Sequence, residues 1–111
     1  MLIYFKSNKL QKICSKRNEA VKKLGSKMAD KLQQRMMELS AADCLADVST
    51  LRPTRCHPLK GNRSGQFSVD LDQPYRLIFI PAIDVILEKD GIGLDLSQID
   101  AIEIIDILDT H

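Results

Sequence analysis

The spacing of apolar residues changes once along this chain, and that change limits the folds open to it. Between residues 8 and 40, apolar residues recur every three or four positions, as they do on one face of a helix. Pro53 stops helical structure, and from residue 54 the pattern alternates with a period of two, as in half-buried strands. Helices followed by strands predict an α+β fold with helices packed on one face of a sheet.

Local patterns place the helical elements. The opening "MLIYF" is apolar and β-branched, which favours a first strand, and Ser7 or Asn8 can cap the helix that follows. A second amphipathic helix is predicted to end near Ser40, and Gly25 marks a kink or break in it. Its apolar stripe consists of Val21, Leu24, Met28, Leu32, Met36 and Leu39.

Strands are predicted in the second half of the chain. They are "TRCHPL", "QFSVDL", "YRLIFI" and the near-continuous apolar run "IDAIEIIDIL", which is typical of a strand buried on both faces. Residues 82–98 are predicted to form a polar loop or a hairpin extension. We therefore expect an N-terminal strand and a helical hairpin packed on a mostly antiparallel sheet of about four strands.

Length and composition indicate one ordinary globular domain over residues 1–111. Apolar residues make up 44% of the chain and charged residues 28%, and no stretch approaches the roughly 20 apolar residues of a membrane span. The start lacks the features of a signal peptide, so we expect a cytoplasmic protein. Three widely spaced cysteines, Cys14, Cys44 and Cys56, predict neither a disulfide framework nor a zinc site.

Charge is divided unevenly between the two halves of the chain. Residues 1–65 hold 14 Lys and Arg against 5 Asp and Glu, a balance of +9, whereas residues 66–111 hold 2 against 10, a balance of −8. A basic half can attract nucleic acid, and the two halves can equally attract each other across the fold. Both interpretations stay open from the sequence.

Few residues offer acid–base or anion-binding chemistry. His57 and His111 are the two histidines, and histidine transfers protons near neutral pH. Cys56 and His57 are adjacent on a strand and point to opposite faces, so they do not form a thiol–imidazole pair. Arg76 interrupts an apolar strand, so it either pairs with an acid, such as a late aspartate, or lines an anion site with Lys60 and Arg63.

The acidic residues predict no metal site. Asp70 and Asp72 bracket a turn and are interpreted as hairpin residues. The late acids are scattered along a loop and a strand without the spacing of a Ca²⁺ loop or a two-metal site, and we expect them to lie on a solvated face. Those residues are Asp95, Asp100, Glu103, Asp106 and Asp109.

The order "CHPLKG", "GQFSV", "YRLIF" and a closing "DTH" resembles the RelE/HigB toxins of bacterial toxin–antitoxin systems. The similarity is greatest to the HigB branch, the plasmid-maintenance killer proteins, which have an "HPLKG" turn and a Trp/Tyr-Arg strand. The similarity in the order of helices and strands extends over most of the chain. The specific motifs lie within residues 56–80 and 107–111.

The resemblance implies a RelE-like fold and a metal-independent, cofactor-free endoribonuclease that cleaves mRNA on the ribosome. It also implies a cognate helix-turn-helix antitoxin of the HigA type as partner. The implied catalytic residues are His57, Lys60, Arg76, Asp109 and His111, with Arg63 and Arg55 binding RNA. An alternative stays open, namely a RelE-fold binding protein without catalysis, either a degenerate toxin or a ParE-like gyrase inhibitor.

Overall fold

A computed structural model describes residues 1–82 and 95–109, and within these ranges it contains three helices and one five-stranded sheet. The helices are α1 (Asn8–Ser15), α2 (Arg17–Leu24) and α3 (Ser26–Ala41), and the strands are β1 (Leu2–Phe5), β2 (His57–Pro58), β3 (Phe67–Asp70), β4 (Tyr75–Pro81) and β5 (Ala101–Asp109). The predicted α+β class is confirmed.

The helical layer follows the local signals closely. The Ser7 hydroxyl accepts a hydrogen bond from the Leu10 amide at 3.1 Å and caps α1. Gly25 has a φ of +86°, a left-handed conformation that glycine adopts without steric cost, and it separates α2 from α3. The predicted break at Gly25 is confirmed, so the helical hairpin consists of three helices.

The sheet has the strand order β1-β5-β4-β3-β2, with β1 parallel to β5 and the other pairs antiparallel. The expectation of about four strands was too low, because the N-terminal strand joins the same sheet beside the C-terminal one. The predicted strand "TRCHPL" was too long. Arg55 has a φ of +49°, and a left-handed residue cannot continue a ladder, so β2 begins only at His57.

One face of the sheet packs against the helices. Alternation along the strands turns Phe67, Val69, Leu77 and Phe79 toward a core that includes Leu32 of α3. The residues between them point the other way. We use the term outer face for the side of the sheet formed by His57, Ser68, Asp70, Arg76 and Ile78.

The C-terminal strand occupies an interior position, between β1 and β4. Its first half is largely buried, in agreement with its apolar sequence. Of the predicted loop, residues 83–94 lie outside the described residues, and a short 3-10 turn forms at Leu96–Gln98. In the described ranges, no helix is long and apolar enough to cross a membrane.

Candidate functional site

His57 lies on the outer face with both ring nitrogens close to protein atoms. Nδ1 is 3.1 Å from the Pro58 carbonyl oxygen, and Nε2 is 3.4 Å from the hydroxyl of Ser68, its register partner on β3. A carbonyl oxygen only accepts hydrogen bonds, so this geometry assigns the proton of the neutral ring to Nδ1. Nε2 is then the nitrogen that can take a proton. Its contact with the buried Ser68 is longer than a strong hydrogen bond.

Two arginines contact the carboxylate of Asp70, which lies two β3 positions beyond Ser68. Asp70 is 4% exposed, and its carboxylate receives Arg55 Nε at 2.8 Å and Arg55 Nη2 at 3.1 Å. Arg76, opposite Asp70 on β4, brings its Nε to 3.5 Å from the same carboxylate. Asp70 ends β3 in the β3–β4 hairpin, as predicted, and it is in addition a buried ion-pair partner, which the sequence interpretation did not predict. Asp70 is an acidic neighbour of Arg76 that the sequence interpretation did not name.

Arg55 is held in an uncommon conformation. A positive φ costs a residue with a β-carbon roughly 1–2 kcal/mol, and such backbones persist where surrounding contacts fix them. Here the Arg55 amide donates to Leu51 O at 2.8 Å, and the Asp70 amide donates to Thr54 O at 2.8 Å. The side-chain hydrogen bond to Asp70 also raises the pKa of Arg55 above its ordinary value, so the guanidinium stays charged.

A buried arginine on α3 anchors this cluster from the helical side. Arg35 is 2% exposed and donates through Nε to Asp70 O at 2.7 Å, through Nη1 to Glu38 at 3.2 Å and through Nη2 to Pro53 O at 3.2 Å. The sequence interpretation missed Arg35. The signal was available, since Arg35 falls three residues after Leu32 and four before Leu39, on the buried stripe of the helix.

Lys60 and Arg63 lie away from the arginine–aspartate cluster. Leu59 N–H donates to Gln66 O at 2.8 Å, so the turn that carries both cations begins beside Gln66. Gln66 precedes Asp70 by four residues, which is roughly 13 Å of extended chain. Lys60 is exposed, and Arg63 donates to Gln66 Oε1 at 3.0 Å. Cations therefore flank β3 in the folded chain, with Lys60 and Arg63 in the turn before it and Arg55 and Arg76 beside its last residue.

The remaining predicted site residues are near the C-terminus. Asp109 ends β5, is exposed, and lies opposite Tyr75, one ladder position beyond Arg76. His111 lies outside the described residues, as does Thr110 of the "DTH" motif. Across residues 1–82 and 95–109, no group of three or more His, Cys, Asp or Glu side chains is arranged to hold a metal ion.

Cys56 belongs to the core rather than to the site. It is buried among the core residues, and burial raises the pKa of its thiol to about 11. His57, the next residue, contacts Ser68 on the outer face. A protonated thiol is a poor nucleophile, and its neighbour's ring is engaged elsewhere, so the pair has no geometry for thiol catalysis.

The raised pKa of Cys56 makes a testable prediction about stability at high pH. The pKa of the thiol is ordinarily 9.0 and is about 11 in the folded protein, so the stabilisation is complete below pH 9 and is lost as the pH rises from 9 through 11. We expect the difference in unfolding free energy between wild type and Cys56→Ala to shrink by about 1–2 kcal/mol between pH 9 and 11. Urea unfolding of both proteins across this range measures it, and a constant difference would contradict the prediction.

No protein-family model matches the chain, and no curated protein is significantly similar to it.

Proposed function

We propose that this chain is a RelE-like toxin of the HigB branch and that it cleaves mRNA on the ribosome by metal-independent attack of the ribose 2′-hydroxyl. The observation that carries the proposal is the outer face, where an imidazole with an available Nε2 lies two strand positions from a pair of arginines. Proton transfer and anion stabilisation are the two capacities that this cleavage requires.

The reaction assigns a role to each predicted residue. A base takes the 2′-hydroxyl proton, the oxygen attacks the adjacent phosphorus, and an acid protonates the departing 5′-oxygen. His57 and His111 carry these two transfers, and either order satisfies the chemistry. Lys60 and Arg76 are assigned to stabilise the charge that develops on the phosphate.

RNA binding supplies the remaining roles. Arg55 and Arg63 bind phosphates of the RNA backbone, and Asp109 fills the acidic position of the family's C-terminal motif. The basic N-terminal half, with its balance of +9 over residues 1–65, favours approach to a polyanion such as the ribosome. An acidic surface of a HigA-like antitoxin would be attracted to the same half.

A second candidate function is a RelE-fold binding protein without catalysis. It is favoured by the contacts of the site itself, since both ring nitrogens of His57 have partners within the chain and Asp70 pairs with both Arg55 and Arg76. In this alternative, these side chains stabilise the fold or contact a protein partner such as gyrase.

Mapping RNA ends in cells distinguishes the two functions. The chain is induced in a host without an antitoxin, and mRNA 5′ ends are sequenced before and after induction. We expect growth arrest and new ends within translated regions that carry a 5′-hydroxyl, because attack by the 2′-oxygen leaves a 2′,3′-cyclic phosphate and a 5′-hydroxyl. Arrest with DNA damage and intact mRNA would instead support the gyrase inhibitor, and unimpaired growth would support a binding protein that has lost toxicity.

A further inference from the structure

We propose that Asp70 is a positioning residue that holds the Arg55 guanidinium in place for an RNA phosphate, an inference that rests on the proposed ribonuclease function. Asp70 is an acid in a site assigned to a polyanion, where an uncompensated negative charge would oppose binding. Its contacts explain why an acid stands there.

Asp70 is itself fixed from three directions. Its carbonyl oxygen receives Arg35 Nε at 2.7 Å, its amide donates to Thr54 O at 2.8 Å, and its strand pairs with β4 at Arg76. Arg35 ties the residue to α3 from the side of the helical layer, and Thr54 ties it to the segment that precedes β2. The carboxylate therefore projects from a rigid point of the fold onto the outer face.

The carboxylate holds Arg55 by two parallel hydrogen bonds. Nε and Nη2 of Arg55 lie 2.8 and 3.1 Å from the two Asp70 oxygens, the bidentate geometry that fixes a guanidinium in its plane. The Arg55 side chain is 30% exposed, whereas that of Asp70 is 6% exposed. Within residues 1–82 and 95–109, the Nη1 group of Arg55 has no protein partner. It is therefore free to donate to a phosphodiester oxygen.

Without Asp70, Arg55 would be a long side chain on a loop residue with no fixed orientation. Its backbone is left-handed and its segment forms no strand, so the ladder of the sheet does not orient it. A guanidinium that is already held in place loses less freedom when it binds a ligand, and it binds more tightly for that reason. The orienting effect of Asp70 is expected to outweigh the repulsion of its charge.

The substitution Asp70→Asn distinguishes the orienting role of the carboxylate from the effect of its negative charge, because the two predict changes of opposite sign in RNA affinity. Removing a negative charge makes the site more positive, so electrostatics alone predicts tighter RNA binding and a steeper dependence on salt. Loss of an orienting carboxylate predicts weaker binding. We expect Asp70→Asn to raise the Kd by about tenfold and to lower the salt slope by about 0.7, the loss of one single-strand phosphate contact.

The probe is a short 2′-O-methyl oligoribonucleotide, which carries the phosphates but lacks the attacking hydroxyl, and binding is read by fluorescence anisotropy over a salt series. Asp72→Asn is the matched control. It makes the same change two residues along the chain, at an acid that pairs with exposed Lys27 at 3.4 Å. We expect this control to bind the probe at least as tightly as the wild type does. Equal or tighter binding by Asp70→Asn than by the wild type would overturn the proposal.

A second variant tests the proposal even if Asp70→Asn fails to fold. Arg55→Lys keeps the positive charge on a partly exposed loop residue but removes the planar fork, and we expect it to weaken binding about tenfold. Wild-type affinity in Arg55→Lys would overturn the positioning role, as would failure of the wild type to bind the probe. If the wild type binds the probe more tightly than Asp70→Asn and Arg55→Lys do but leaves cellular mRNA intact, the proposed catalysis fails and the positioning role stands.

Discussion

Replacing His57 by glutamine is expected to abolish growth arrest and to lower mRNA cleavage by about a hundredfold to ten-thousandfold, the usual contribution of one positioned acid or base. Glutamine keeps a polar side chain on the outer face but has no ring nitrogen that can act as an acid or a base. The neutral ring of His57 is assigned its proton on Nδ1, against the Pro58 carbonyl, and this leaves Nε2, 3.4 Å from the Ser68 hydroxyl, as the nitrogen for the proposed proton transfer.

The comparison uses inducible expression in a host without an antitoxin, with growth and RNA 5′ ends measured for each protein. Asn62→Ala is the control, because Asn62 is an exposed residue of the same β2–β3 connection and has no role in the proposed chemistry. Thermal unfolding establishes that both variants fold. Equal arrest by the wild type and His57→Gln would remove His57 from the reaction, whatever the fate of the other residues.

Replacing Arg35 by methionine is expected to lower the free energy of unfolding by about 3 kcal/mol, since removing one partner of a buried ion pair leaves the others uncompensated. The acceptors left behind are the carbonyls of Asp70 and Pro53 and the carboxylate of Glu38. Thr54 and Gln34 still donate to that carboxylate, at 2.6 and 3.0 Å. Methionine fills the volume of the aliphatic stem, so the loss reports the hydrogen bonds rather than a cavity.

Urea unfolding of Arg35→Met and Arg17→Met measures the difference that burial makes. Arg17 pairs with Asp30 on the surface, where both side chains are about half exposed or more, and pairs of this kind contribute less than about 1 kcal/mol. The same substitution there is expected to change stability little. If the two variants unfold at similar urea concentrations, the hydrogen bonds that Arg35 donates to Asp70, Glu38 and Pro53 do not stabilise the fold as their geometry indicates.

The Arg35 network also bears on how the outer face is built. It connects α3, the segment before β2, and β3, so one side chain joins the helical layer to the strand that carries Asp70. Asp70 in turn contacts Arg55 and Arg76. Arg55 and Arg76 are therefore positioned by a buried polar contact as well as by the backbone of the sheet and its flanking segment.

Much of the fold was predictable because its causes are local. The period of three to four fixes a helix regardless of what packs on it, Gly25 breaks that helix by its own conformational freedom, and Ser7 caps α1 through a residue three positions away. The alternating strands after Pro53 placed β3 and β4 within a few residues. The limits of β2 were not predictable, because they depend on the left-handed backbone of Arg55.

The sequence by itself determined the α+β class, the order of the elements and the residues capable of acid–base and phosphate chemistry. Only the tertiary structure decided that β1 lies parallel to β5, that Arg35 is buried, and that Asp70 joins Arg55 to Arg76. Parallel pairing joins the two ends of the chain, and the Asp70 ion pairs join three different segments of it. No local pattern encodes such contacts, because a partner distant in sequence is chosen by the packing of the whole sheet.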